Sequence, residues 1–135
     1  MNYATANNTI ATRFKTTIKD VESIAVQYDN QIDFTPPKSL WCRLSIKFGE
    51  GFQASLGAPD DRLYRNQGMM FVQIYDVIGN GTGSMMGLVD KINVAFRGIS
   101  VGELLFRTPN VSVSRREGDY WQINVDCPFV FESIN

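Results

Sequence analysis

Three places in this sequence have residue types that could do chemistry, and each can be tested against what that chemistry requires. Residues 79–84 read Gly-Asn-Gly-Thr-Gly-Ser between an apolar strand and an amphipathic helix, which is how phosphate sites begin. A Walker-type loop ends in Gly-Lys-Ser/Thr, because the lysine neutralises phosphate and the hydroxyl reaches magnesium. Here Ser84 follows Gly83 with no lysine between them. The dinucleotide fingerprint fails too, since its third glycine would fall at position 84. A connection between strand and helix is the simpler reading. Asp60-Asp61 is the only adjacent carboxylate pair, and turn formation after Pro59 explains it. Glycoside hydrolysis needs two carboxylates held rigidly apart, which nothing around this pair suggests. Cys42 and Cys127 stand far apart, each in a strand-like alternation and without a CxxC or Cys/His cluster, so they read as core thiols. A disulfide stays open if their strands are adjacent. The chain contains no histidine, which removes catalytic triads, Cys-His pairs and most zinc sites. No cofactor or metal is expected, and no enzymatic activity.

The stretch that organises the chain runs from Arg65 to Phe96. Met69 to Ile78 is nearly all apolar, as in a central strand covered on both faces. From Met85 the period becomes helical: Met85, Leu88, Val89, Ile92, Ala95 and Phe96 share one face, opposite Asp90, Lys91 and Asn93. Thr82 or Ser84 is the expected cap at its start, and Gly98 the left-handed stop at its end.

Residues 3–19 read as a first helix with Ile10, Ala11, Phe14 and Ile18 inward. Asn7 and Asn8 are candidate caps, which would leave residues 1–8 as a loose N-terminal arm. Ile24 to Tyr28 is a short strand. Leu40 to Phe48 alternates strictly, with Leu40, Cys42, Leu44, Ile46 and Phe48 on one face and Trp41, Arg43, Ser45 and Lys47 on the other. Trp41 on the polar side either packs under a neighbouring loop or anchors an interface with Arg43. Residues 49–67 form a connection far longer than a hairpin needs, and Phe52, Leu56, Leu63 and Tyr64 are too apolar for a solvated tip. The reading is an extended loop that finds its burial against another molecule, or folds over its own sheet. Arg62 and Arg65 beside Asp60 and Asp61 suggest a salt-bridge set, either within the loop or to a neighbour.

Val101–Phe106 reads as a strand, and Val111–Arg115 as another with Val111 and Val113 inward. It forms a hairpin with Tyr120–Phe131, which turns Trp121, Ile123, Val125, Cys127, Phe129 and Phe131 to one side. Pro128 lacks a ladder donor and places the end of that strand at an edge or bulge. Arg115 and Arg116 are a small basic cluster on the hairpin, at a solvated strand end or facing an acidic partner.

With 135 residues the chain is one domain, α+β: a mostly antiparallel sheet with two helices packed on it. Thirteen basic and fourteen acidic residues leave a net charge of −1, which argues against a dedicated nucleic-acid binder. No apolar run is long enough for a membrane span and no secretion leader is recognisable, so a cytoplasmic site of synthesis and use is expected.

Several segments, taken in order over about residues 40–131, resemble the tail-terminator-like proteins of long-tailed bacteriophages. They are Leu40-Trp41-Cys42-Arg43-Leu44-Ser45; Arg65-Asn66-Gln67-Gly68 leading into Phe71-Val72-Gln73-Ile74-Tyr75; the loop Gly79 to Ser84; the helix ending Phe96-Arg97; and Trp121 to Phe129. The resemblance implies a virion protein without catalysis, assembled in the host cytoplasm into a homo-oligomeric ring, typically a hexamer. Such a ring caps the head-proximal end of the tail tube, ends its polymerisation and joins the neck, with the tube protein and a neck or head-completion protein as partners. It implies no membrane and no sequence-specific nucleic acid, although DNA can pass through the ring. A ring needs heterologous contacts, for which the 49–67 loop against the Trp41 and Arg43 face is the candidate pair. Two alternatives remain: a neck or head-completion connector, and a small-ligand-binding α/β module using the glycine-rich turn.

Overall fold

In the computed structural model, which describes residues 1–134, a single α+β domain carries two helices on one face of a mostly antiparallel, seven-stranded sheet. The first helix, α1 (Tyr3–Phe14), continues through a wider π turn (Lys15–Lys19) and a last short turn (Asp20–Glu22). The sheet contains β1 (Ala25–Tyr28), β2 (Trp41–Gln53) and β3 (Leu63–Val77), then, after helix α2 (Gly83–Phe96), β4 (Ser100–Val101), β5 (Leu104–Phe106), β6 (Asn110–Glu117) and β7 (Tyr120–Ile134). Strand order is β1-β2-β3-β7-β5-β4, and β6 also pairs with β7. All pairings are antiparallel except β1 with β2.

The N-terminus is not a loose arm. Asn2, rather than Asn7 or Asn8, caps α1 by accepting from the Thr5 amide at 2.8 Å, and Tyr3 packs edge-on against Phe48 and Phe131. The inward stripe is Ala6, Ile10, Phe14 and Ile18. A spacing of four overshoots a 3.6-residue turn, and the wider turn after Phe14 brings Ile18 back onto the sheet. The hydroxyls of Thr16 and Thr17 both donate to the Arg13 carbonyl there, supporting the opened ladder. On α2 all six expected residues are buried, and Gly98 closes the helix at φ 66°. Thr82 occupies the start of that helix, but neither it nor Ser84 makes a capping side-chain hydrogen bond.

β3 lies at the centre, between β2 and β7, with Met70, Val72 and Ile74 wholly excluded from water beneath the helices. Its other face is only partly covered. Cys42 on β2 and Cys127 on β7 are both buried and free, and β3 runs between their strands. Val101–Phe106 is not one strand but the tight hairpin of β4 and β5. Val111 is exposed rather than inward, because no helix covers β6. Pro128 sits at neither an edge nor a bulge. It lies where the outer neighbour of β7 changes from β6 to β5, and its carbonyl accepts from the Arg107 amide at 2.8 Å. A strand residue points its N–H and C=O to the same side, so the missing donor falls at this junction and costs no ladder bond.

Gly68 fits a close crossing on the helix side of the sheet. A Cβ there would lie 2.5 Å from both the Phe129 ring and the Lys47 carbonyl oxygen. The ring can shift; the backbone cannot. Gly68→Ala should therefore lower stability by about 1–3 kcal/mol in urea unfolding, the usual cost of overpacking. An unchanged midpoint would show that this crossing is looser than described.

Candidate functional site

Two features project function-bearing side chains away from the core: the outer end of the β2–β3 hairpin, and the sheet face that carries no helix. Both follow from how far the strands extend. The stretch 49–67 is not an extended loop, because β2 continues to Gln53 and β3 starts at Leu63, leaving only residues 54–62 outside the ladder. A register shift between Phe48 and Gly51 absorbs the glycines of Gly49-Glu50-Gly51. β7 runs alongside as a third strand, with Arg65 opposite Glu132 and Leu63 opposite Ile134. The result is a three-stranded arm.

Its tip is ordered by its own hydrogen bonds. The Ala54 amide donates to the Leu63 carbonyl at 2.7 Å, and the Leu63 amide donates to Ser55 Oγ at 2.9 Å. The Asp61 amide donates to the Ala58 carbonyl, with Asp60 in the left-handed region at φ 70°. Arg62 Nε donates to the Gly57 carbonyl, and Arg65 pairs with Glu132 at 2.6 Å. Within the loop, the salt-bridge set of Arg62 and Arg65 with Asp60 and Asp61 does not form: Arg62 is turned onto a carbonyl and Arg65 onto Glu132. Leu63 and Tyr64 are half-buried in the ladder, Phe52 is half-exposed, and Leu56 is fully exposed at the tip.

Trp41 is buried, at 3% exposure, and is not a surface anchor in this chain. Parallel strands need a crossover, and residues 29–40 return the chain from the end of β1 to the start of β2. That return loop brings Phe34 to 5.2 Å from the Trp41 ring, and Tyr120 Oη donates to the Pro37 carbonyl at 3.0 Å. Trp41 stacks on Tyr75 at 4.3 Å, with its indole N–H unpaired. Arg43 is held rather than free: Nε donates to Gln27 Oε1 at 2.8 Å and Nη1 to Gln73 Oε1 at 3.2 Å, with the guanidinium over the Trp41 and Tyr75 rings. Arg115 and Arg116 are exposed on β6, where Arg115 approaches Glu117 at 3.6 Å and Arg116 donates to the Gly118 carbonyl. They lie on a different strand from the arm and do not join it in one site.

Sequence reading missed a groove at the root of the arm. It is open, about 360 Å³ in volume, and is lined by Met69, Phe71, Pro128 and Val130, with Lys47 and Arg107 among its walls. Lys47 Nζ lies 5.4 Å from the centre of the Phe71 ring. The apolar run Met69 to Ile78 carried the signal, since Met69 and Phe71 fall on the side opposite Met70 and Val72. The glycine-rich turn shows no comparable construction. Gly79 and Gly81 take left-handed conformations in open space, and the carboxylate behind them, buried Asp76, accepts from Asn80 Nδ2 at 3.2 Å. That charge opposes an anion. Among the described residues no three His, Cys, Asp or Glu side chains are placed to hold a metal.

No protein-family model matches the chain, and no curated protein matches it. It is similar to a solved structure whose name states no activity, with a TM-score of 0.65 and 17% identity over 96% of this chain and 97% of that one. At that identity the likeness speaks for the fold alone.

Burial pushes the thiols of Cys42 and Cys127 from 9.0 up to about 12. The native state then holds protons that the unfolded chain releases above pH 9, so stability is full below pH 9 and falls as pH rises towards 12. Urea unfolding at pH 8 and pH 10.5 should show this loss, and replacing both cysteines with valine should reduce its slope. An aromatic disulfide reagent should label neither thiol until the protein unfolds.

Proposed function

We propose that this chain is a structural subunit of a bacteriophage tail, a terminator that forms a ring on the head-proximal end of the tail tube. The observation that carries the proposal is the three-stranded arm. An arm that places Leu56 fully in water and Phe52 half in water, on a ladder fixed by β7, has apolar surface that nothing among the described residues covers. Recognition of another subunit is the use that suits it. The order of segments along residues 40–131 that resembles the terminator-like proteins supports the same reading, as does a fold whose two helices leave one sheet face open.

Electron microscopy of the protein mixed with tail tubes of its own particle tests the proposal through tube ends and tube lengths. Capped ends and arrested growth are expected. Replacing residues 55–62 by Asn-Gly, which keeps the Ala54–Leu63 pair as the hairpin end, should leave the circular-dichroism melt within a few degrees of the parent and abolish capping. Bare tube ends with rings seated on isolated capsid necks would assign the protein to the connector side instead. Absence of rings at either place would overturn the structural reading.

A further inference from the structure

We propose that in the ring the arm tip of one copy seats in the groove at the root of the next copy's arm, with Leu56 on Met69, Phe71 and Pro128, and with Asp60 and Asp61 against Lys47 and Arg107. This contact rests on the ring reading and names the two patches that meet. The charges are complementary. Neither Lys47 nor Arg107 has a carboxylate partner among the described residues, and neither do Asp60 and Asp61. Arg62, the one cation at the tip, is turned onto the Gly57 carbonyl. Further acids share the helix-free face: Asp29 accepts from Ser45 Oγ and the Ile46 amide, and Glu117 faces Arg115. Glu132 is neutralised by Arg65, and Asp126, opposite Phe71 and Asn110, bounds the cationic stretch on the side away from the arm.

The tip cannot reach its own groove. Gly68 lies at the groove and Leu63 at the far end of an unbroken ladder with β7, so five residues of paired strand, about 17 Å, separate them. The occupant must be supplied by another molecule. The two patches differ, which is the condition for a heterologous contact that closes into a ring rather than an isolated dimer. A groove floored by Met69, Phe71 and Pro128 gives a leucine side chain apolar contacts that a neighbour's arm would close off from water, and the flanking ion pairs would fix its register.

Cysteine cross-linking and charge exchange test the contact. Leu56→Cys combined with Met69→Cys should give, on mild oxidation with tubes present, a ladder of disulfide-linked multimers, while each single variant gives none above dimer. The native thiols are buried and remain silent. Reversing the tip (Asp60→Lys with Asp61→Lys) or the groove (Lys47→Glu with Arg107→Glu) should each weaken self-association in sedimentation by about tenfold or more, and combining all four should restore it to within about threefold. Parent-like assembly of the single reversals, or failure of the combination to restore it, would overturn the docking. If the parent protein caps tubes while these variants do so equally well, the ring reading stands and this contact falls. If cross-links form but no tube end is capped, the contact stands and the terminator reading falls.

Discussion

Met70, Val72 and Ile74 lie entirely out of water on a strand hydrogen-bonded along both sides, and the rest of the molecule is arranged to keep them there. β2 and β7 pair with β3 along most of its length, and α1 and α2 cover its apolar face. Around that centre a run of rings links the elements. Phe14 of α1 stacks on Phe96 of α2; Phe96 meets Phe106 edge-on; Phe106 meets Phe129, and Phe129 meets Phe48. Arg13 ties the two helices by donating to the Ala95 carbonyl at 2.8 Å while lying over the Phe96 ring. A burial of this kind fixes register, since a slip of one residue would turn Met70, Val72 and Ile74 into solvent.

The same constraint leaves the other face unfinished. Two helices suffice for one side of the sheet, and on the second side the return loop 29–40 gives partial cover, reaching Trp41 and Tyr120. Beyond it, Arg43, Ser45, Lys47, Phe71 and Asn124 line a surface of mixed polarity. Such a face suits the proposed assembly, since its mixed polarity is compatible both with water and with burial against another copy.

Local patterns reached far into this fold. The helical period gave all six inward residues of α2, and the alternation of β2 separated its two faces correctly, because each depends only on neighbours along the chain. What stayed hidden depends on distant partners. Periodicity places Trp41 on the helix-free face but cannot show that β1 runs parallel to β2 and sends a loop across it. Gly49-Glu50-Gly51 reads as loop because glycine weakens a strand, yet pairing with Asn66 and then β7 holds it in the ladder. The start of α1 was obscured by two asparagines better placed in sequence than Asn2. The arm residues were legible as apolar and over-long; the groove was not, because Lys47, Phe71, Arg107 and Pro128 come from four separated segments.

The third strand of the arm decides how it can bind. A two-stranded ribbon projecting from a sheet would be mobile, and fixing it on a partner would cost conformational entropy for each residue ordered. Here β7 extends to Ile134 beside β3, Tyr3 Oη donates to Asn66 Oδ1 at 3.1 Å, and the Met1 nitrogen donates to the Glu132 carbonyl at 3.0 Å. The arm is thus braced by both ends of the described chain before any partner arrives. Most of the ordering has already been done during folding, so in the proposed assembly burial of a few exposed side chains at the tip would lose less to immobilisation. On the proposed reading, that preorganisation is what would let a small tip serve, and it gives a use to strands that run longer than the core alone requires.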